Sequence, residues 1–542
     1  MLIVTRILCL ICGLLTILIS EAGIGFASEK IGTTAEEIRR EAMLPNDSES
    51  GFPLPLAAHW NTGWREGGFS PDYQLQMIER GHYLLPWFYL PSPWDTDWIS
   101  RNGYYEKTIK KFAELKIPLS FISSQWERYL TDSPKYRHLP RQENPNVVDE
   151  HGTIHKKVSP FGPEALWREV GEKWTSSTIV RRVQEWYPDP PLVLFVSNNE
   201  HDKLAWHEVG QSARYLEAYG PGHDDNFKRK VVGDGWIKRY RALQGGMRSG
   251  LIAPGWQKHA NFVAYDALGT RAYGRWPDWI KYSLISPGRM EPWPLAWDGV
   301  SLSYYVNNWS PDTDHTVMSP QIEAMNWIFM RDEAWRLNPG FWVEMSTWDG
   351  HEPGSANDKR EYYRKSGTEF SPARYEGYVQ FGMWLLRPRV VREFRNHLSK
   401  VTKDESYFIS VVNSVDRVHD NPILRKFWRK GKLVANYNNR HPYQTKIPSE
   451  YNAVDRWFFL DTNLDPKRPW ALTTYIPVFS IALVIGTAPE REWLVYAHSP
   501  LKSFGNVRVT IPDYAPVDIS VSPSGSFYSV MEKNKVITKI VN

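Results

Sequence analysis

Two glutamates in this chain each follow a short apolar run and could act as a chemical pair. Glu200 follows the run at 191–197 and the residues Asn198-Asn199, and Glu344 follows the run at 340–343. Retaining cleavage of a glycosidic bond needs one protonated and one ionised carboxyl group roughly 5 Å apart. The nearness of two like charges helps to keep one of them protonated. We therefore interpret Glu200 and Glu344 as a candidate catalytic pair for this chemistry.

Each of these carboxylates also has an ordinary structural interpretation. Glu200 could begin a helix, where the helix dipole favours negative charge, and Glu344 could simply pair with an arginine. Three further carboxylates near the predicted strands are rivals, and we interpret them as hydroxyl-binding or structural groups: Glu127, Asp266 and Asp298.

Short apolar runs between residues 52 and 400 alternate with helical patterns, as they do in βα units. The runs lie at 53–59, 82–90, 118–125, 191–197, 260–267, 300–306, 340–345 and 379–386. Helical patterns occur at 104–116, 174–186, 321–335 and 390–398. Eight such runs predict a (β/α)8 TIM barrel over 52–400, rather than an open doubly wound sheet, with its active groups at the C-terminal ends of the strands.

The character of the sequence changes after residue 400. We expect a helical or mixed connecting region at 401–455. Short alternating runs punctuated by Pro, Gly, Asn and Asp then predict a smaller antiparallel β-sandwich-like domain at 456–542. This domain is expected to be structural or to be a weak glycan-binding accessory. An N-terminal extension at 28–51 precedes the barrel.

Residues 1–27 have the pattern of a secretory signal peptide. Arg6 precedes an apolar run at 7–19 that is short for a membrane span, and small residues favour cleavage after Ala22 or Ala27. An uncleaved N-terminal anchor is the alternative. Both cysteines, Cys9 and Cys12, lie in this segment, so we expect no disulfide or thiol chemistry in the mature chain. The pattern predicts a secreted or periplasmic protein that is free of the membrane after cleavage.

An Asn-Glu pair after the fourth predicted strand and a lone Glu after the seventh resemble the retaining (β/α)8 glycoside hydrolases of clan A. The resemblance covers the barrel at 52–400. It implies that Glu200 is the acid/base, that Asn199 binds the sugar 2-hydroxyl and that Glu344 is the nucleophile. It also implies a tyrosine near the end of strand six that holds the nucleophile, which here is Tyr304 or Tyr305.

The same resemblance implies a tryptophan on strand eight as the floor of the sugar site, and Trp384 fits that position. His201 follows Glu200 where many members of the clan have proline. The family within the clan is therefore left open.

Aromatic and polar side chains are concentrated near the predicted strand ends, in a chain with 26 Trp, 28 Tyr and 22 Phe. Aromatic rings stack on sugar faces, while Asn, His and carboxylate groups bind hydroxyls, although any single tryptophan is more often a core residue. We interpret the following as substrate-binding residues: His59, Trp60, Asn61, Trp126, Glu127, His201 and Trp348. Basic groups at Arg271, Arg275 and His201 would accommodate an anionic or sulfated polysaccharide.

Charge and motifs exclude several other classes of function. The 65 Lys and Arg residues nearly balance the 61 Asp and Glu residues, which argues against a dedicated nucleic-acid binder. Neither a glycine-rich phosphate loop nor a His-Glu-x-x-His zinc motif is present, so we expect no metal and no cofactor. The predicted partner is an oligo- or polysaccharide. The alternatives are a non-catalytic glycan-binding barrel, and an inverting hydrolase or polysaccharide lyase that uses another carboxylate pair.

Overall fold

The computed structural model describes residues 35–59, 71–84, 88–89, 103–124, 129–131, 133–198, 204–265, 293–305, 328, 331–332, 334–348, 371–394, 405–436, 458–466 and 477–540. The structural statements below concern these residues.

The described residues form two groups of elements, an α/β part followed by a β-rich part. The helices are α1 (Ala35–Ala42), α2 (Pro71–Glu79), α3 (Gly103–Glu114), α4 (Pro134–Arg137), α5 (Glu164–Thr175), α6 (Thr178–Trp186), α7 (Ala213–Tyr219), α8 (Asp225–Gly250), α9 (Pro254–His259), α10 (Trp293–Ala296), α11 (Pro372–Leu386), α12 (Glu405–Asp420) and α13 (Pro422–Lys430), with a 3-10 helix at Trp206–Gln211. The strands are β1 (Leu56–His59), β2 (Phe88–Tyr89), β3 (Leu119–Ser124), β4 (Asn146–Val148), β5 (Ile154–Val158), β6 (Val193–Asn198), β7 (Ala260–Tyr265), β8 (Gly299–Tyr305), β9 (Trp342–Trp348), β10 (Val390–Glu393), β11 (Lys432–Leu433), β12 (Phe479–Ile485), β13 (Glu492–His498), β14 (Phe504–Thr510), β15 (Pro516–Val521), β16 (Ser526–Met531) and β17 (Val536–Ile540).

Eight strands pair in parallel in the order β1-β10-β9-β8-β7-β6-β3-β2. A further parallel bridge joins Ala57 of β1 to Tyr83, which lies just before β2. The Ala57 amide donates to the His82 carbonyl, and the Leu84 amide donates to the Ala57 carbonyl, both at 2.9 Å. The circuit of strands is therefore closed, and the fold is the predicted (β/α)8 barrel.

Successive residues on the barrel strands face opposite sides of the sheet, as the period of two requires. Interior-facing residues form one buried cluster, which includes Leu56, Ala58, Leu194, Val196, Val263, Trp342 and Val390. Their outward-facing neighbours pack into the larger cluster beneath the helices, which includes Ala57, Val193, Phe195, Phe262, Val343, Met345 and Val391. This alternation assigns each strand side chain to the barrel interior or to the helix layer.

Helix α1 covers the N-terminal end of the barrel. Its last residue, Ala42, and the next residue, Met43, pack on the interior cluster beside Leu56 and Trp342. The helix begins against Gly81, which has a φ of 85° and where a Cβ would lie 2.6 Å from the Ala35 Cα atom. With this end filled by apolar side chains, a ligand would enter the barrel from the C-terminal end.

The structure corrects the predicted eighth strand. The run at 379–386 is part of helix α11, whose N-cap residue Ser371 accepts a hydrogen bond from the Arg374 amide. A helix buried on all sides carries no polar face, so its apolar run cannot be distinguished from a buried strand by periodicity. The eighth strand is β10, within the stretch at 390–398 that was predicted to be helical.

The β-rich part contains a five-stranded antiparallel sheet, β11-β12-β13-β16-β17, and the two-stranded sheet β14-β15. The two sheets enclose a second buried cluster, which includes Trp493, Val495, Val507, Val509 and Ile519. This packing of two sheets confirms the predicted sandwich-like domain. Strand β15 shows the corresponding pattern, with buried residues that alternate with exposed ones.

Helix α11 packs between the barrel and the sandwich. The Tyr496 hydroxyl donates to the Gly377 carbonyl at 2.6 Å, and the Gln380 amide donates to the Ser524 carbonyl at 2.8 Å. The Trp384 ring packs edge-on against Phe527 at 5.4 Å.

Among the described residues, none of the helices has the length and hydropathy that a membrane-spanning segment requires.

Candidate active site at the C-terminal end of the barrel

Strand β9 presents a column of four side chains to the barrel interior. From the N-terminal end these are Trp342, Glu344, Ser346 and Trp348, which alternate with the outward-facing Val343, Met345 and Thr347. Trp348 ends the strand and is 7% exposed, whereas Glu344 and Ser346 are fully buried. The column therefore leads from an apolar base, through two polar groups, to an aromatic ring at the C-terminal end.

Both carboxylate oxygens of Glu344 are occupied. Arg392 on the neighbouring β10 donates from Nε to Oε1 at 2.7 Å and from Nη2 to Oε2 at 3.0 Å. The Ser301 hydroxyl on β8 donates to Oε1 at 2.7 Å. A two-point guanidinium–carboxylate contact of this kind fixes the geometry of both groups.

Arg392 connects Glu344 to two more strands. Its Nη1 atom donates to the His59 carbonyl at the end of β1 at 3.1 Å, and its Nη2 atom donates to the Ser120 hydroxyl on β3 at 3.2 Å. Burial lowers the pKa of Arg392, and the charge and hydrogen bonds of Glu344 act in the opposite direction. The positive charge at the centre of the barrel is thus compensated by Glu344.

Glu344 does not stand at the end of its strand, because β9 continues for four residues to Trp348. The sequence prediction, which has Glu344 follow the strand and ends the apolar run at 345, therefore ends this strand too early. Ser346 and Thr347 interrupt the apolar pattern, although both are buried.

The strand register gives the depth of Glu344 in the barrel. Hydrogen-bonded register pairs connect Glu344 on β9 through β8 and β7 to Asn198 on β6, and Asn198 to Ser124 on β3. Because barrel strands are tilted, register partners do not lie at the same height along the barrel axis. Their heights differ by about one residue for each strand that separates them. The direction of the shift follows from Arg392, which bonds Ser120, four residues before Ser124. Glu344 therefore lies about three residues, or roughly 8 Å, below the level of Asn198.

Several predicted site residues lie outside the described residues, and their roles stay predictions. These are Trp60, Asn61, Trp126, Glu127, Asn199, Glu200 and His201, together with Arg271 and Arg275. Strand β6 ends at Asn198, so Asn199 and Glu200 follow the strand end directly in the chain.

The structure corrects the expected orientation of two residues. The His59 ring faces the helix layer, where it packs edge-on against Phe408 of α12 at 4.9 Å. The Tyr304 ring faces helix α11, where it stacks on Tyr378 at 5.2 Å, and the Tyr378 hydroxyl donates to the Tyr304 carbonyl. Both predictions placed the residue near a strand end without deciding which side of the sheet its side chain occupies.

Trp384 is also placed differently from its prediction. It lies on helix α11 rather than on strand eight, and its ring packs against Trp428 at 5.3 Å and against Phe527 at 5.4 Å. These contacts place it between the barrel and the sandwich domain, away from the barrel interior. Trp348 is the last residue of β9, with Tyr305 as its register partner on β8, and the sugar-binding role of Trp348 stays a prediction.

Four polar residues of the interior are not identified from the sequence. Arg392 falls in a predicted helix, and Ser120, Ser301 and Ser346 are of a residue type too common to indicate a site. The sequence does contain one indication of the buried ion pair, which is the arginine that follows the apolar residues Val390-Val391. Arginine is almost never fully buried unless it is paired, so an arginine within a buried strand indicates an acidic partner. Among the described residues, no group of three or more His, Cys, Asp or Glu side chains could hold a metal ion.

The chain matches no protein-family model and no curated protein. Several of the similar solved structures are glycoside hydrolases. An agarase has a TM-score of 0.34 at 12% identity, covering 68% of this chain and 60% of the agarase. A family 36 α-galactosidase of Geobacillus stearothermophilus has a TM-score of 0.38 at 12% identity, covering 93% of this chain and 58% of that enzyme.

A family 5 glycoside hydrolase of Prevotella bryantii has a TM-score of 0.32 at 9% identity, covering 69% of this chain and 99% of that enzyme. A morphinone reductase also matches, at a TM-score of 0.28. The chain spans about three-fifths of the length of the agarase and of the α-galactosidase. Scores and identities this low identify neither a family nor a reaction.

Proposed function

We propose that this protein is a secreted glycoside hydrolase that cleaves a β-linked glycan with retention of configuration. One observation supports this proposal most directly. The closed barrel carries the end of β6, which the chain continues with Asn199-Glu200, and the end of β9, where Trp348 faces the interior, at the same C-terminal end. In barrels of this type that end holds the active site.

Glu200 is the proposed acid/base. It would protonate the leaving glycosidic oxygen in the first step and activate a water molecule in the second. Asn199 is proposed to bind the sugar 2-hydroxyl, and Trp348 offers an aromatic face for the sugar ring.

The nucleophile would come from strand β9. The sequence prediction is Glu344, but the two-point contact with Arg392 and the depth of Glu344 favour a carboxylate nearer the strand end. Asp349 follows Trp348 directly in the chain and lies outside the described residues. We therefore propose Asp349 as the nucleophile, with Glu344 as the alternative.

A panel of neutral and sulfated β-linked glycans, assayed with wild type, Glu200→Gln and Asp349→Asn, tests this proposal. We expect wild type to cleave at least one glycan, and each variant to lose activity by a factor of 100 or more, on the order of what a general acid contributes. Glu114→Gln, on an exposed face of α3, is the matched control and should keep full activity. The anomer first released, observed by proton NMR, reports retention.

Each contrary result has a distinct meaning. Undiminished activity in Glu200→Gln would overturn the assigned acid/base, and release of the opposite anomer would favour inversion. Binding of a glycan without cleavage by wild type would favour the glycan-binding protein.

Secretion is a separate part of the proposal. We expect expression in a host that exports proteins to yield a chain that begins after Ala22 or Ala27. N-terminal sequencing of the exported protein tests this directly, and a chain that retains residues 1–22 in the membrane fraction would favour the uncleaved anchor.

A further inference from the structure

Ser346 has an unusual environment for a polar residue in the barrel. Its side chain is fully buried, and its hydroxyl oxygen has no hydrogen-bond partner in the described part of the chain. Buried polar groups are nearly always hydrogen-bonded, and an unsatisfied one calls for a reason such as an ordered water molecule or a ligand.

The position of Ser346 is well defined. It faces the barrel interior two residues after Glu344 and two residues before Trp348. Its register partner on β10 is Arg392. Along the strand, roughly 7 Å separates Ser346 from Trp348, so Ser346 occupies the next interior-facing position below the one that ends the strand.

The polar groups beneath Ser346 are already bonded. Glu344 binds Arg392 and Ser301, and Arg392 also binds the His59 carbonyl and the Ser120 hydroxyl. A ligand that enters from the C-terminal end therefore meets a closed, charge-compensated layer. Among the described residues that face the interior above this layer, the Ser346 hydroxyl has a hydrogen bond still to make.

We propose that Ser346 is the deepest substrate-binding residue of the barrel and that its hydroxyl bonds a neutral hydroxyl group of the bound sugar. This inference rests on the proposed glycosidase function and adds a residue that sets specificity. A hydroxyl both donates and accepts hydrogen bonds, so it suits a neutral sugar hydroxyl above a layer whose charges already pair with each other.

Titration calorimetry and kinetics on Ser346→Ala and Ser346→Val test this proposal, with the glycan that wild type cleaves best. Binding is measured in a Glu200→Gln background to prevent turnover. We expect Ser346→Ala to weaken binding about fivefold to tenfold, the effect of one neutral hydrogen bond, mainly as a higher KM. Ser346→Val should weaken it further, because its methyl groups occupy the space of the sugar hydroxyl. The melting temperature of Ser346→Ala should not fall, since the hydroxyl it removes has no protein partner.

A matched control is Ser480→Ala, which removes a buried hydroxyl of the sandwich domain that donates to the Tyr496 carbonyl. It should lower the melting temperature and leave glycan binding unchanged. Unchanged binding in Ser346→Ala together with a lower melting temperature would overturn the inference and assign the hydroxyl to a structural water molecule. If wild type binds no glycan, the proposed function itself fails, and the inference fails with it.

Discussion

Arg392 and Glu344 form a fully buried ion pair on neighbouring strands, with two hydrogen bonds of 2.7 and 3.0 Å. Glu344 is the register partner of Val390, so its charge partner lies two residues further along β10. On a parallel ladder such diagonal neighbours are within reach of a long side chain, and here the arginine also bonds β1 and β3. Together with the Ser301 hydroxyl on β8, which donates to Glu344, the hydrogen bonds of this one ion pair join five of the eight barrel strands.

We expect removal of either partner alone to lower the stability of the protein far more than removal of both. Glu344→Met or Arg392→Met alone leaves a buried charge without compensation and should cost about 3–5 kcal/mol of the free energy of unfolding. The double variant Glu344→Met/Arg392→Met removes both charges and should be close to wild type in stability. Urea unfolding of the four proteins measures the coupling.

The same double variant separates two roles of Glu344. If Glu344 is only the counter-ion of Arg392, the double variant should regain much of the glycan cleavage lost in the single variants. A double variant that is as stable as wild type yet inactive would contradict the view that Glu344 is only a counter-ion.

Trp384 is expected to contribute to stability and not to sugar binding. Its indole is 1% exposed and packs between Trp428 and Phe527. Trp384→Ala should cost about 3–5 kcal/mol, the usual effect of emptying a large aromatic site, while Trp384→Phe should cost less. Glycan affinity of the folded Trp384→Phe protein should equal that of wild type. A marked loss of affinity in Trp384→Phe would contradict this purely structural role.

Gly377 is expected to be required for the packing of α11 against the sandwich. A Cβ at this position would lie 2.0 Å from the Pro523 carbonyl oxygen. Gly377→Ala should therefore lower stability by about 1–3 kcal/mol, as overpacking does. Gly505→Ala is the matched control, because a Cβ there meets no atom within 4 Å. Equal melting temperatures for the two variants would show that the two domains are not packed this closely.

The stability of the protein should decrease as the pH falls below about 6.5, partly because of His419. Burial lowers the pKa of His419 to about 3, and the nearby His82 ring acts in the same direction. The folded protein therefore keeps His419 neutral while the unfolded chain protonates it. This difference costs up to about 1.4 kcal/mol for each pH unit between 6.5 and 3.

His419→Gln provides the comparison for this pH effect. The imidazole Nε2 atom lies 2.7 Å from the Pro55 carbonyl oxygen, and a glutamine can donate to that oxygen without titrating. Urea unfolding between pH 4 and 7 should show that the free energy of unfolding falls less steeply with decreasing pH in the variant. The difference in slope should correspond to about one proton fewer taken up on unfolding. Identical slopes would mean that His419 is accessible to protons in the folded state. A second buried histidine, His498, whose pKa is also lowered to about 3 by burial, should contribute equally in both proteins.

Local sequence patterns were sufficient to predict the barrel. They failed for segments that are buried on all sides, where polar and apolar residues no longer alternate. Seven of the eight predicted runs overlap barrel strands, because each is short, apolar and flanked by Pro, Gly or polar residues. The eighth run became helix α11, since contact with the barrel on one side and the sandwich on the other leaves it without a polar face. Strand β10 was missed because its interior position holds an arginine, which an isolated sequence marks as exposed.

The sequence by itself determined the alternation of strands and helices, and the carboxylate that follows the end of β6. Those features follow from local spacing, since hydrophobic period and strand-end position are properties of a short segment. Only the tertiary structure decided that Glu344 and Arg392 neutralise each other and that Tyr304 and His59 face the helices. It also left the Ser346 hydroxyl in the interior without a hydrogen-bond partner among the residues that the structure describes. These relationships depend on strand order, register and the side of the sheet that each residue occupies, which join residues far apart in the chain.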